Sequence, residues 1–236
     1  MQRFLIAFFL VIACVTSTSG GSLEESDSAY QRGDYALAVR LWRSLAEQGN
    51  TSAQFNLGLM YRKGQGVTQD YQEAVKWYAK AAEQGHSGAQ SDLGSMYAGG
   101  QGVQQDYQEA LKWYCKGAMQ GHAGAQHNLG FMYDNGQGVS QDYQEALKWY
   151  RKAAMQGYAG AQSNLGWMYA NGHGVTQDFV RAHMWYNVAA AALSGDDAKI
   201  EMKNRDITAK RMTAAQIEKA QEMARRCQQS RFKECD

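Results

Sequence analysis

Apolar residues recur at helical spacing in pairs of short segments, and glycine closes each segment. In residues 50–85 the first segment places Ala53, Leu57, Met60 and Tyr61 at i, i+4, i+7 and i+8. That spacing forms one stripe on a helix and predicts an amphipathic helix, here helix A, over about 53–62. The second segment predicts helix B over about 71–84, with an apolar face made of Tyr71, Ala74, Val75, Tyr78, Ala81 and Ala82.

Glycine and aspartate mark where these helices end and begin. Gly64 and Gly66 follow helix A, and glycine readily takes the positive φ that a helix end requires. Asp70 precedes helix B with Glu73 three residues later, which resembles a capping box. Near the end of the chain, Thr213 and Gln216 predict a second capping box.

The paired pattern repeats every 36 residues, as the Asp-Tyr or Asp-Phe steps at 34, 70, 106, 142 and 178 show. Full copies cover 50–85, 86–121, 122–157 and 158–193, after an N-terminal helical pair at 22–49 and before capping helices at 196–236. A single pair cannot bury its aromatic residues, so neighbouring pairs must stack into one core. The sequence therefore predicts an all-α fold, an αα-superhelix or solenoid of helix-turn-helix repeats.

The repeated pattern Ala-x3-Leu-Gly-x2-Tyr-x2-Gly-x-Gly-Val-x2-Asp-Tyr-x2-Ala-x2-Trp-Tyr-x-Lys-Ala-Ala-x2-Gly resembles the Sel-one-like repeat, a relative of the tetratricopeptide repeat. The last copy departs most, at Phe179, Val180, Arg181 and His183. The resemblance implies a right-handed superhelix with helix A on its concave side. It also implies an adaptor or scaffold for protein complexes.

Composition agrees with helices and disfavours a nucleic-acid partner. The 236 residues include no proline and 25 glycines, as expected for helices broken only at their ends. The chain has 24 basic and 23 acidic residues, whereas nucleic-acid binders carry an excess of basic residues.

The N-terminus predicts export from the cytoplasm. Arg3 precedes an apolar run from Phe4 to Val15 and a small polar exit, the order of a signal peptide at residues 1–20. The segment ending at Cys14 resembles a lipobox, so two alternatives remain open: lipidation of Cys14, or ordinary signal cleavage. We expect a periplasmic or secreted protein whose only membrane attachment would run through a lipidated Cys14.

Comparison of the copies predicts a partner-binding stripe. Three helix A positions vary at i, i+4 and i+7, opposite the constant apolar stripe, so we expect them to face solvent. Bulky side chains there favour a partner groove over scattered surface hydrophobes or contacts with the caps. The predicted partner-binding residues are Phe55, Leu59, Arg62, His127, Phe131, Asp134 and Trp167.

A near-constant polar position lies beside this stripe. It either holds the backbone of a bound peptide or makes hydrogen bonds between helices of the solenoid, and its constancy favours the second interpretation. The residues are Asn56, Asp92, Asn128 and Asn164.

Two cysteines near the end predict a disulfide. Cys227 and Cys235 are close enough in sequence to bridge in an oxidising compartment, pinning the tail to the last helix. Cys115 occupies a variable helix B position and is expected to be an exposed, spare thiol.

No catalytic, cofactor or metal motif accompanies the repeat. The Gly-x-Gly turns lack the Gly-Lys step of a phosphate loop, and no nucleophile stands beside an activating base. The leading hypothesis is therefore a non-catalytic protein-interaction scaffold with no cofactor, whose partner is a protein or peptide. One alternative is a β-lactam-binding or β-lactam-hydrolysing protein, as described for cysteine-rich relatives. Another is a self-associating structural protein.

Overall fold

The computed structural model describes residues 22–235, and the helices in that range follow one another without intervening strands. From α2 to α10, each helix packs on the next one along the chain. This sequential packing confirms the predicted all-α αα-superhelix. The predicted signal peptide and Cys14 lie outside the described residues. The helices are α1 (Leu23–Gln31), α2 (Tyr35–Glu47), α3 (Thr51–Lys63), α4 (Tyr71–Glu83), α5 (Ser87–Gly99), α6 (Tyr107–Met119), α7 (Ala123–Asn135), α8 (Tyr143–Ala154), α9 (Ala159–Asn171), α10 (Phe179–Ala192), α11 (Gly195–Ala209) and α12 (Ala214–Gln229).

The predicted caps set the ends of these helices. The Asp70 carboxylate accepts hydrogen bonds from the backbone N–H groups of Gln72 and Glu73, at 2.9 and 3.0 Å. The Glu73 side chain pairs with Lys76 at 2.5 Å, so this start is a simple N-cap. Both hydrogen bonds of the Thr213 capping box are present.

A glycine inside each helix A makes room for a tyrosine of helix B. A Cβ placed on Gly58 would lie 2.8 Å from the Tyr78 ring, which is fully buried. The atoms nearest to that Cβ all belong to Tyr78. Glycine therefore offsets its cost within a helix by allowing the two helices of one repeat to touch.

Tyrosines near the end of helix A join the repeats into one core. Tyr61 packs against the buried cluster of α2 and α3 and also against that of α4 and α5. Tyr97 and Tyr133 make the same bridge one and two repeats later. The core therefore runs continuously along the stack, which is how a solenoid gains its stability.

A buried glutamine ties each helix A to the preceding repeat. Gln126 donates through Nε2 to the Ala118 carbonyl oxygen at 3.2 Å and accepts through Oε1 from Gln156 Nε2 at 2.7 Å. The last copy keeps the first bond, from Gln162 to the Ala154 carbonyl oxygen at 3.2 Å. Its Oε1 is buried without a hydrogen-bond partner, because Ala192 stands where the other repeats have the second glutamine.

We predict that Ala192→Gln stabilises the protein by restoring this partner. One added hydrogen bond to a buried acceptor contributes about 1 kcal/mol, which corresponds to roughly 2–4 °C in melting temperature for a domain of this size. Differential scanning calorimetry measures the shift. Ala191→Gln places the same side chain on a neighbouring exposed position and serves as control. Equal shifts in the two variants would show that the unpaired oxygen is not the cause.

The C-terminal segment closes the end of the stack. Helix α12 packs on α10, and a disulfide joins Cys227 to Cys235, which confirms the predicted pairing. The loop that the disulfide closes carries Phe232 back to the turn before α9. A Cβ on Gly157 in that turn would lie 2.8 Å from the Phe232 ring. The tail is therefore attached to the preceding repeat as well as to the last helix.

We predict that Cys227→Ala with Cys235→Ala lowers the free energy of unfolding by roughly 2–3 kcal/mol, the value expected for closing so short a loop. Urea denaturation measures the loss. Reduction of the unchanged protein should give a similar loss, and the double variant should not respond to reductant. A variant as stable as the oxidised protein would contradict a stabilising role for the bridge.

Candidate functional site

The A helices form one continuous face of the stack. Helix α5 contacts α7, one repeat on, and side-chain contacts join α3 to α5 and α7 to α9, at Arg62–Asp92 and Asn164–His127. The family resemblance implies that this face is the concave side, and it is called the concave surface below.

Three cavities on this surface adjoin and form one groove. The first, about 700 Å³, lies over the N-terminal ends of α5 and α7 and includes Asn128. The second, about 320 Å³, also includes Asn128 and extends to Phe131. The third, about 370 Å³, includes Phe131 and continues to α11. The shared residues place the three cavities next to one another across repeats 2 to 4, and together they are called the groove.

Two predicted partner-binding aromatics are exposed on the A helices, Phe131 in this groove and Trp167 in a separate cavity between α9, α10 and α11. Phe131 retains 45% and Trp167 retains 41% of its maximal exposure. The Trp167 indole stands edge-on to the His173 imidazole, with ring centroids 4.5 Å apart, so its orientation is set while its face stays accessible. Large apolar side chains left open on a concave surface are typical of interaction sites.

The expectation that the whole stripe faces solvent is wrong at its first position. Phe55 is partly buried and stacks on His86 at 4.5 Å, and Ser91 is buried. His127 is also partly buried, against Tyr158 at 4.9 Å. The cause is the next repeat: this position lies against the glycine in the first turn of the following helix A, as Phe55 does against Gly88. The angular position of a residue around its own helix does not show which side chains the next repeat covers, so the comparison of copies could not reveal this contact.

The other three predicted residues of the stripe are partly buried as well. Leu59 is half-buried. Arg62 pairs with Asp92 of the next repeat at 3.3 Å, and Asp134 accepts from the Tyr150 hydroxyl at 3.2 Å. Burial is the main reason why the Asp134 pKa lies above its usual range.

The near-constant polar position makes contacts between helices, in line with the interpretation that the sequence favoured. Asp92 pairs with Arg62, and Asn128 donates to the Ser95 hydroxyl at 3.5 Å. Asn164 lies 3.3 Å from His127 Nε2. All three bonds connect consecutive A helices, while Asn56 lies partly buried on the first one.

Helix α11 adds a wall that the sequence reasoning missed. Ile200 lines the third cavity and Ile207 lines a further one of about 300 Å³ beside Trp167. They are 53% and 50% exposed. A signal was present, because α11 begins 36 residues after α9 and the two isoleucines are seven residues apart, on one helical face.

Two histidines cap helices at the edge of the groove. His86 and His122 accept through Nδ1 from the backbone N–H groups of Ala89 and Ala125, at 3.0 and 3.2 Å. A protonated Nδ1 cannot accept these bonds. Burial is the main cause that lowers the pKa of both imidazoles below the usual value. At the same position of the first repeat, Asn50 caps α3.

We predict that stability falls as pH drops below about 6.5, the ordinary histidine pKa. With folded-state pKa values below that value, the unfolded chain binds more protons, so stability is full above about pH 6.5 and is lost as pH falls through the folded values. Urea midpoints at pH 7.5 and pH 5.0 measure the loss. His86→Asn with His122→Asn keeps a cap that does not titrate, and should reduce the loss. An unchanged loss would show that the caps are not responsible.

Cys115 differs from its expected exposure. The thiol is half-buried, and burial raises its pKa. Within residues 22–235, no group of three or more His, Cys, Asp and Glu side chains is arranged to hold a metal ion. No helix in this range is both long and apolar enough to cross a membrane.

Comparison with known proteins identifies the repeat. The Sel1 repeat profile matches residues 25–50, 51–86, 87–122, 123–158 and 159–192. The chain belongs to the Sel1 repeat family. The profile counts the N-terminal pair as a repeat, where the sequence comparison treated residues 22–49 as a flanking pair. A search of curated proteins finds no match.

Solved structures extend the comparison. The chain is 34% identical to c5321, a protective antigen of uropathogenic Escherichia coli, with a TM-score of 0.78 over 88% of this chain and 47% of that one. It thus spans about half the length of that protein. A Sel1 repeat protein of Oxalobacter formigenes is 32% identical, with a TM-score of 0.67 over 82% and 87%. The immunity protein Pa5087 of Pseudomonas aeruginosa shares the fold at 20% identity and a TM-score of 0.50, over 86% and 84%.

Proposed function

We propose that this Sel1 repeat protein is a non-catalytic scaffold that binds a protein or peptide in its concave groove. The observation that carries the proposal is the exposure of Phe131 in that groove and of Trp167 in the cavity next to it. A partner protein that docks here would cover these rings and remove their apolar surface from water. Structural relatives named as an antigen and an immunity protein are in line with a role in protein binding.

The rigidity of the groove supports binding. Each A helix is fixed by its contact with helix B, by the buried glutamine and by bonds to the preceding A helix, such as Asn128 to Ser95. A preformed surface loses little conformational freedom when a partner docks, so more of the contact energy appears as affinity.

We further propose that the protein acts outside the cytoplasm. The predicted signal peptide at residues 1–20 and the disulfide between Cys227 and Cys235 support this location, because such bridges persist mainly in oxidising compartments. Lipidation of Cys14 stays an alternative to ordinary cleavage.

We predict that a photo-crosslinking amino acid at position 131, introduced in living cells, yields a discrete product with a partner. The same amino acid at position 112, an exposed lysine on the outer face of α6, serves as control. Identical products from both positions, or none from 131, would contradict a partner in the groove.

Once the partner is identified, its affinity for variants of the two exposed aromatic residues tests the groove directly. Phe131→Ser with Trp167→Ser introduces the residue that repeat 2 already carries at this position, Ser95, so we expect the fold to survive. Affinity should fall at least tenfold, since hot-spot aromatics contribute 2 kcal/mol or more, as a rough guide. Unchanged affinity in a variant with native circular dichroism would refute the proposed groove.

A further inference from the structure

Charge reverses at the third position of the helix A stripe. In repeat 1, Arg62 pairs with Asp92 of repeat 2 at 3.3 Å. Two repeats later the corresponding residues are Asp134 and Asn164. Asp134 has taken the place of the cation and its opposite residue is neutral. Within residues 22–235, the Asp134 carboxylate makes no ion pair and accepts one hydrogen bond, from the Tyr150 hydroxyl.

Burial raises the pKa of Asp134, and the hydrogen bond from Tyr150 and the electrostatic effect of the His173 imidazole partly oppose that rise. His173 stacks against Tyr143 with ring centroids 4.5 Å apart and meets Trp167 at the same distance. Its ring is therefore held by aromatic contacts. A carboxylate taken partly out of water without a paired cation is costly, and a cation brought by a ligand would offset that cost.

The wall formed by α11 adds two more carboxylates. Glu201 and Asp197 line the cavity that Phe131 and Ile200 also line. Glu201 is only 7% exposed and accepts from the Ser163 hydroxyl at 2.8 Å, so its orientation is set. No lysine or arginine lines this cavity among the described residues. Its one imidazole belongs to His127, and burial lowers the pKa of that ring, which disfavours its charged form.

Apolar side chains line both this cavity and the next one. Phe131 and Ile200 line the cavity itself, and Trp167 and Ile207 line the next one along the groove. Arg211, which lies over the Phe179 ring at 5.4 Å, lines that next cavity. Among the residues that line these two cavities, the carboxylates therefore belong to the first and the cation to the second.

We propose that this C-terminal half of the groove recognises a cationic amphipathic segment of a partner protein. Leucine-like side chains of the segment contact Phe131, Trp167 and Ile200, and its lysine or arginine groups pair with Asp134, Asp197 and Glu201. The inference rests on the proposed function and specifies the chemistry of the partner. Apolar contacts supply affinity, and complementary charge selects the partner and speeds its approach.

The test uses two fluorescent peptides of about twelve residues, made of leucine with lysine or of leucine with glutamate in amphipathic helical order. Fluorescence anisotropy with the purified protein measures binding at low and at physiological salt. We expect the lysine peptide to bind, with weaker binding at higher salt. The glutamate peptide should show no binding at the same concentrations.

Charge-matched variants locate the site. Asp134→Asn should weaken binding of the lysine peptide roughly tenfold, the effect expected on losing one charge-assisted contact. Glu145→Gln removes the same charge from the outer face, where Glu145 pairs with Lys148, and should leave binding unchanged. Phe131→Ser should weaken the binding of the lysine peptide at every salt concentration.

The outcomes separate this inference from the proposed function. Equal binding by Asp134→Asn and Glu145→Gln, no binding of the lysine peptide, or tighter binding of the glutamate peptide each overturns the cationic partner. In those cases loss of the crosslinked partner in Phe131→Ser with Trp167→Ser would still support the groove. If the affinity for that partner is also unchanged by the aromatic substitutions, both proposals fail.

Discussion

The contact between consecutive repeats is the interaction on which the rest of the molecule depends. A single pair of short helices cannot offset the conformational entropy lost on ordering it. Here each pair shares its core with the next through tyrosines such as Tyr61 and Tyr97. Buried glutamines then satisfy backbone carbonyls at the same junctions. Stability and the shape of the concave surface thus have one origin.

The same junctions shape the functional surface. A variable side chain on helix A stays available only where the following repeat does not cover it, which separates Phe131 and Trp167 from Phe55 and His127. The last helical pair of the stack is also incomplete. Helix α11 continues the register of the A helices, but α12 packs on α10 instead of pairing with α11. That departure leaves the isoleucines of α11 open beside the last two aromatics.

Polar groups along the groove follow a similar logic. Where a repeat supplies both partners, as with Arg62 and Asp92, the charges are balanced within the protein. Where one partner is replaced, as at Asp134, the protein retains a partly buried carboxylate without a paired cation. Natural proteins keep such groups where an interaction offsets their cost. Divergence between the copies therefore gives a repetitive framework local differences in charge.

The sequence by itself determined the local features of this protein. Glycine, aspartate and apolar spacing decide where helices begin and end within one repeat, and the 36-residue period implies that repeats stack. The pairing of Cys227 with Cys235 also followed from a short separation in the chain. Only the tertiary structure decided which variable residues remain exposed and that α11 forms a wall of the groove. Those outcomes depend on neighbours 30 or more residues away, whose distance and tilt no pattern within a single helix records.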